Sequence, residues 1–228
     1  MFKKNTKYVT LMVSLPYLGE LFKSQQTPLS RFKLEERLKL LSEEDAKLLR
    51  QIQNLIRWHY LPIERTDAEI VAAAKRFFQQ VKNPLLREAV AFRLELHTIV
   101  AALRRRKRGE DTPPMGESWG YGRWVNHIER HWAEPAFQLQ GVFPWVPEAN
   151  RLLQANESMA LERLLFGYVW NRLGQLGTGH YFDFEAVVIY VLRWDLIDRW
   201  VRYDSEAAIE RFRNLVDAGV GEFNQLFA

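Results

Sequence analysis

His180-Tyr-Phe-Asp-Phe-Glu-Ala-Val-Val-Ile-Tyr-Val-Leu-Arg-Trp-Asp-Leu-Ile-Asp-Arg-Trp-Val-Arg-Tyr203 is the stretch whose reading decides the fold. Asp183 can cap a helix here, because its short carboxylate accepts from the open amides of a first turn. At about 100° per residue the second half sorts into two faces. Asp195, Asp198, Arg199 and Arg202 fall on one side, and Trp194, Leu196, Ile197, Trp200 and Val201 on the other. Val187, Val188 and Val191 occupy the sector that later turns polar. A helix apolar all round is buried, so this one is expected to start inside a core and emerge along one face. The β-branched run 187–189 leans toward strand, but the length and the later periodicity favour helix. Arg193 heads among Ile189, Tyr190, Leu196 and Ile197. It reads either as a snorkelling or paired arginine, or as an anchor for a partner's carboxylate.

Outward from this helix the same signals recur. Ser42, with Glu43, Glu44 and Asp45 behind it, reads as a capped start, and Thr66-Asp-Ala-Glu69 has capping-box spacing. Asn83-Pro84 combines a cap with proline at the first helical position. From there an apolar pattern runs about seven turns to Arg104-Arg-Arg-Lys-Arg108 and stops at Gly109. Thr27-Pro28 is expected to open an earlier helix, Arg123–Trp132 and Pro147–Ala155 short ones, Ser158–Leu176 a long one, and Ser205 onward a last one. Tyr8–Leu15 is rich in β-branched and aromatic residues and ends at Pro16, so a short strand is its first reading and a helix its second. The fold class expected is mainly α, a multi-helix domain with room for one short N-terminal β element. It reads as a single domain over 1–228, with two lobes (1–109 and 123–228) available across the Pro/Gly-rich loop 110–122.

Composition narrows the function classes. The 228 residues are 47% hydrophobic and 26% charged, ordinary for a globular protein, with eight Trp, eight Tyr and fourteen Phe. Large rings serve cores and interfaces alike. With no cysteine there is no disulfide, thiolate metal site or thiol nucleophile. No apolar run approaches the ~20 residues of a membrane span. Lys3, Lys4 and Lys7 before Tyr8–Leu15 imitate a signal peptide, but the apolar run is short, lacks a small-residue cleavage pattern and meets Pro16. A cytoplasmic location is expected. The net charge of +4, from 32 basic and 28 acidic residues, permits an acidic partner without demanding one.

Three constellations could carry chemistry. His127 and His131 stand one turn apart with Glu134 beyond, a spacing zinc can use, yet the order is not that of a metalloprotease. Structural histidines are the stronger reading, and no metal or cofactor is assigned. Ser118, in Gly116-Glu-Ser-Trp-Gly120, has nucleophile-elbow spacing by letter but no preceding strand. No phosphate-binding glycine loop is present. The basic run Arg104, Arg105, Arg106, Lys107 and Arg108 could neutralise phosphates in a salt-dependent way. Cations in a last helical turn also complement the negative end of the helix dipole, and Glu110 and Asp111 blunt the local field. A protein contact therefore outweighs nucleic acid. The expectation is a protein without catalytic residues.

Longer stretches carry a resemblance. Leu85–Gly109, an acidic position followed by an apolar run and a basic end closed by glycine, looks like the long helix of the C-type (or d-type) subunit of V/A-type ATPases. Phe182-Asp-Phe-Glu-Ala-Val-Val-Ile-Tyr-Val-Leu192 is similar to that family's F-x-x-E-x-x-x-x-Y-x-L helix. The whole chain resembles more closely an uncharacterised bacterial family linked with V-type ATPase operons. Its marks are the Tyr-hydrophobic-Ser-Leu-Pro start (Tyr8 to Pro16), the helix ending in the basic run, and a His-x-Phe-Asp helix ending in Arg-Trp (His180 to Trp200). The C-type subunit is a helical, non-catalytic socket between the rotor stalk and the proteolipid ring. The resemblance thus implies an adaptor or assembly protein, shorter than that three-lobed socket, held at the inner membrane through an ATPase complex. Partner contacts would fall to Arg104–Arg108, Arg193 and Trp200. The alternative from another class is a helical nucleic-acid binder using 104–108.

Overall fold

The computed structural model describes residues 3–56, 66–114 and 118–203, with side chains from residue 6 onward. Helices are α1 (Lys3–Ser14), α2 (Arg31–Leu38), α3 (Glu43–Ile56), α4 (Asp67–Gln80), α5 (Pro84–Lys107), α6 (Val125–Arg130), α7 (Val146–Gln154) and α8 (Ser158–Leu176). A final helix, α9, spans 184–203, and a single 3-10 turn covers Leu21–Lys23. No strand occurs among the described residues, so the mainly α expectation holds. The helix expected from Ser205 onward lies outside them.

Local chemistry set most of the boundaries. Ser42 Oγ accepts the Asp45 amide at 3.2 Å, and Thr66 with Glu69 forms the full reciprocal box. Asn83 accepts the Leu86 amide at 3.1 Å with Pro84 behind it. Asp183 accepts the Ala186 amide at 2.8 Å. Gly109 ends α5 at φ +87°, in the left-handed region where a side chain would be strained.

Two expectations fail. Tyr8–Leu15 is not a strand, because α1 runs through it. Beneath the β-branched composition, Tyr8, Leu11, Met12 and Leu15 recur at i, i+3, i+4 and i+7; Leu11 and Leu15 are buried, with Tyr8 and Met12 packed against the same core. Tertiary contact overrides propensity here: Tyr8 Oη donates to Asp45 at 2.5 Å and Lys7 Nζ at 2.9 Å. The second helix also begins at Arg31 and not at Thr27-Pro28, since Ser30 caps it through the Lys33 amide at 3.3 Å.

One apolar cluster runs from Leu11 to Trp200 and draws on every helix. Through it α5 packs against α3, α6, α7 and α8. α9 closes the core as its faces predicted: Val187, Val188, Val191, Trp194 and Ile197 have no exposed surface. Trp194 also donates Nε1–H to the Leu29 carbonyl at 2.9 Å. Replacing such a ring by alanine costs about 3–5 kcal/mol. The glycine-rich loop is clamped along α5 by Thr98, which exchanges hydrogen bonds with the Tyr121 amide (2.9 Å) and carbonyl (3.1 Å). Gly120 and Gly122 permit that approach, for a Cβ on either would lie 2.6 Å from Thr98 Cγ2 or Glu95 Cγ.

Candidate interaction site at Arg193

The basic end of α5 is the densest charge in the chain, and most of it is used internally. Arg105 bridges Asp67 at 2.9 Å, across to the first turn of α4, and Glu110 at 3.2 Å. Arg106 donates to the carbonyls of Glu134 and Ala133 and lies 5.2 Å from the centre of the buried Phe137 ring. Lys107 reaches the Leu153 carbonyl at 2.6 Å and Asn156 at the end of α7. Arg108 pairs with Glu110 at 2.8 Å. Carbonyls at the ends of other segments carry the partial negative charge that draws these cations in. Arg104 stays exposed. Trp200, by contrast, is buried with its ring edge-on to Phe22 at 4.9 Å.

Arg193 is placed differently. Its guanidinium stacks on the Trp170 ring of α8 at 3.7 Å. Nε is shielded from water and meets no acceptor among the described residues. An orphaned donor of this kind costs on the order of 1–3 kcal/mol. Burial holds the group below the usual guanidinium range, although an arginine remains charged. It lines an open cavity of about 210 Å³ with Met12, His180, Tyr181, Ile189 and Tyr190, and no carboxylate lines that cavity among the described residues. Tyr190 is fixed by donating to the Pro16 carbonyl at 2.9 Å, and burial pushes its phenol up to about 12. Tyr181, on the cavity wall, is 67% exposed, and Tyr17, close enough to act on the Arg193 charge, is 88% exposed. A lone cation on an aromatic plate beside exposed rings suits a carboxylate carried on an apolar segment.

Neither histidine group makes a stronger claim. His127 Nε2 donates to the Phe137 carbonyl at 2.9 Å and His131 Nδ1 meets Glu134 at 3.0 Å, so both serve the 131–138 turns. The described residues that could approach a metal together are His180, Asp183 and Glu185, with donor atoms within 4.8 Å of one another. Those donors already have protein partners. His180 Nδ1 meets Asp183 at 2.6 Å, Asp183 caps α9, and Glu185 accepts from Asn83 at 2.5 Å. The arrangement is a tied helix start.

Comparison with known proteins bears on the family. A family described as "Protein of unknown function (DUF2764)" matches residues 62–222. The chain belongs to the DUF2764 family. No curated protein and no solved structure matches it. The matched span of this DUF2764 chain includes the basic end of α5, Trp170, Arg193 and Trp200, while α1 and Tyr17 lie before it. Sequence reasoning placed Arg193 beside Ile189 and Tyr190 but missed Trp170, Tyr17 and Tyr181. Tyr17 and Tyr181 sit beside Pro16 and Gly179, which marks turns; that these rings are exposed beside one cavity carries no local signal.

Proposed function

We propose that the chain is a non-catalytic adaptor or assembly protein, related to the C-type subunit of V/A-type ATPases, that contacts rotor, stalk or proteolipid-ring components of such a machine. The resemblance of Leu85–Gly109 and Phe182–Leu192 supports the assignment, as does a wholly helical architecture among the described residues. The observation that carries the docking role is Arg193, stacked on Trp170 at the wall of a cavity with no carboxylate among the described residues, beside the exposed rings of Tyr17 and Tyr181. Aromatic and arginine side chains are enriched where one protein grips another. No helix among the described residues is long and apolar enough to cross a membrane, so any membrane association in this reading runs through the ATPase. Its place is cytoplasmic, against the inner membrane.

The nucleic-acid alternative draws on 104–108, where four of five cations have partners within the chain. That leaves less free charge for phosphates. The test is capture of the tagged chain from its own cells, followed by mass spectrometry. Stalk and proteolipid components should be recovered, and recovery should fall in a Tyr17→Ala, Tyr181→Ala double variant. Absence of every ATPase component, or salt-sensitive enrichment of nucleic acid alone, would sink the proposal.

A further inference from the structure

We infer that the Arg193 cavity takes the side-chain carboxylate of a glutamate in a partner's segment, with apolar neighbours of that glutamate resting on Tyr17 and Tyr181. The inference rests on the reading of the chain as a docking protein, but not on which machine it docks to. Four observations point the same way. The guanidinium plane is covered on one side by Trp170 at 3.7 Å, which leaves its hydrogen-bonding edge as the way to satisfy it. The cavity wall offers no carboxylate among the described residues, and since Nε is shielded it is the rest of the half-buried guanidinium that a ligand would meet. The one Arg or Lys of that wall is Arg193, which suits a singly charged group better than a phosphate. About 210 Å³ is small against the ~300–1,000 Å³ of ligand pockets, so it admits one side chain and not a cofactor.

Glutamate is favoured over a chain terminus by the surroundings. Exposed rings come from two separate turns, at 17 and at 181, so a segment can continue in both directions past the anchored residue. The cavity floor supplies apolar contact for methylenes through Met12, Leu18 and Ile189. Tyr190 cannot lend its proton to the carboxylate without releasing the Pro16 carbonyl, so recognition falls on Arg193 with His180 at the wall. The Nδ1 of that histidine is held by Asp183.

The experiment uses the full chain labelled with fluorotryptophan and followed by fluorine NMR, the Trp170 resonance being assigned by its loss in Trp170→Phe. The probes are acetyl-Leu-Glu-Leu-amide, its glutamine counterpart, acetyl-Leu-Leu with a free carboxyl terminus, and inorganic phosphate. The glutamate peptide should shift the Trp170 resonance saturably, with the other three at least about tenfold weaker. Arg193→Gln should abolish the shift. Gly174→Leu supplies the control for folding. Gly174 lines the cavity, a Cβ there meets nothing within 4 Å, and leucine is a better helix former than glycine in the last turn of α8, so this variant should stay folded while filling the site. Equal response to the glutamine peptide, tighter binding of phosphate or of the free terminus, or undiminished binding by Gly174→Leu would each overturn the inference. Such a failure would leave the ATPase co-purification standing, because the two readouts are independent.

Discussion

Five adjacent cations at the end of α5 and one isolated cation on α9 behave oppositely. The dense cluster looks like the binding surface in the sequence, yet Arg105, Arg106, Lys107 and Arg108 hold the chain's own carbonyls and carboxylates. The isolated Arg193 looks like a core irregularity, yet its Nε has no acceptor among the described residues. Charge density measures neither availability nor function. What matters is whether the fold already supplies a partner for each charge, and that depends on segments far apart in the chain.

The contrast can be broken by measurement. Arg106→Ala should destabilise most, by about 2–3 kcal/mol in urea unfolding, because it strips charged donors from the 133 and 134 carbonyls and cover from the Phe137 ring. A change below about 0.5 kcal/mol would mean the basic end is not a structural staple. His97, about two helical turns before that end, comes next. Burial, reinforced by Arg104 and Arg93, pushes its pKa down from 6.5 to about 4 against the pull of Asp67. The folded chain therefore binds fewer protons than the unfolded one between those values. Stability should be complete above about pH 6.5 and decline as pH falls toward about 4, by on the order of 2 kcal/mol. Urea midpoints near pH 7 and near pH 5 test this, and His97→Gln should flatten the difference.

At the open end the effects should be smaller and of other sign. Gly174→Ala should stabilise by about 0.5 kcal/mol, since a glycine in the last turn of α8 gains from a Cβ that meets nothing. A loss of stability there would mean that the wall of the cavity is less free than its geometry says. Arg193→Ala should change stability by no more than about 0.5 kcal/mol, as the lost stack on Trp170 is offset by removal of an orphaned donor. A cost as large as that of Arg106→Ala would erase the distinction between the two regions.

Legibility followed the range of the interactions. The caps at Ser42, Thr66, Asn83 and Asp183 are readable because donor and acceptor lie three residues apart. The buried and polar faces of 187–202 are readable because periodicity alone fixes them. The first helix misleads, as its β-branched residues argue locally for a strand while the stripe through Leu11 and Leu15 acquires meaning only against the core. Of the candidate site, the sequence offers Arg193 and its two readings. Trp170 beneath it, twenty-three residues away, and the rings of Tyr17 and Tyr181 beside the same cavity are beyond reach of any spacing rule.

By itself, then, the order of residues determined that the chain is helical, where most helices begin and stop, and which face of α9 turns inward. Those outcomes depend on hydrogen bonds and side-chain headings within a turn or two of helix. Tertiary structure alone decided that Arg106 and Lys107 reach other segments' carbonyls while Arg193 lies on Trp170 with no acceptor for Nε among the described residues. The distances between residues remote along the chain exist only once α5, α8 and α9 have packed.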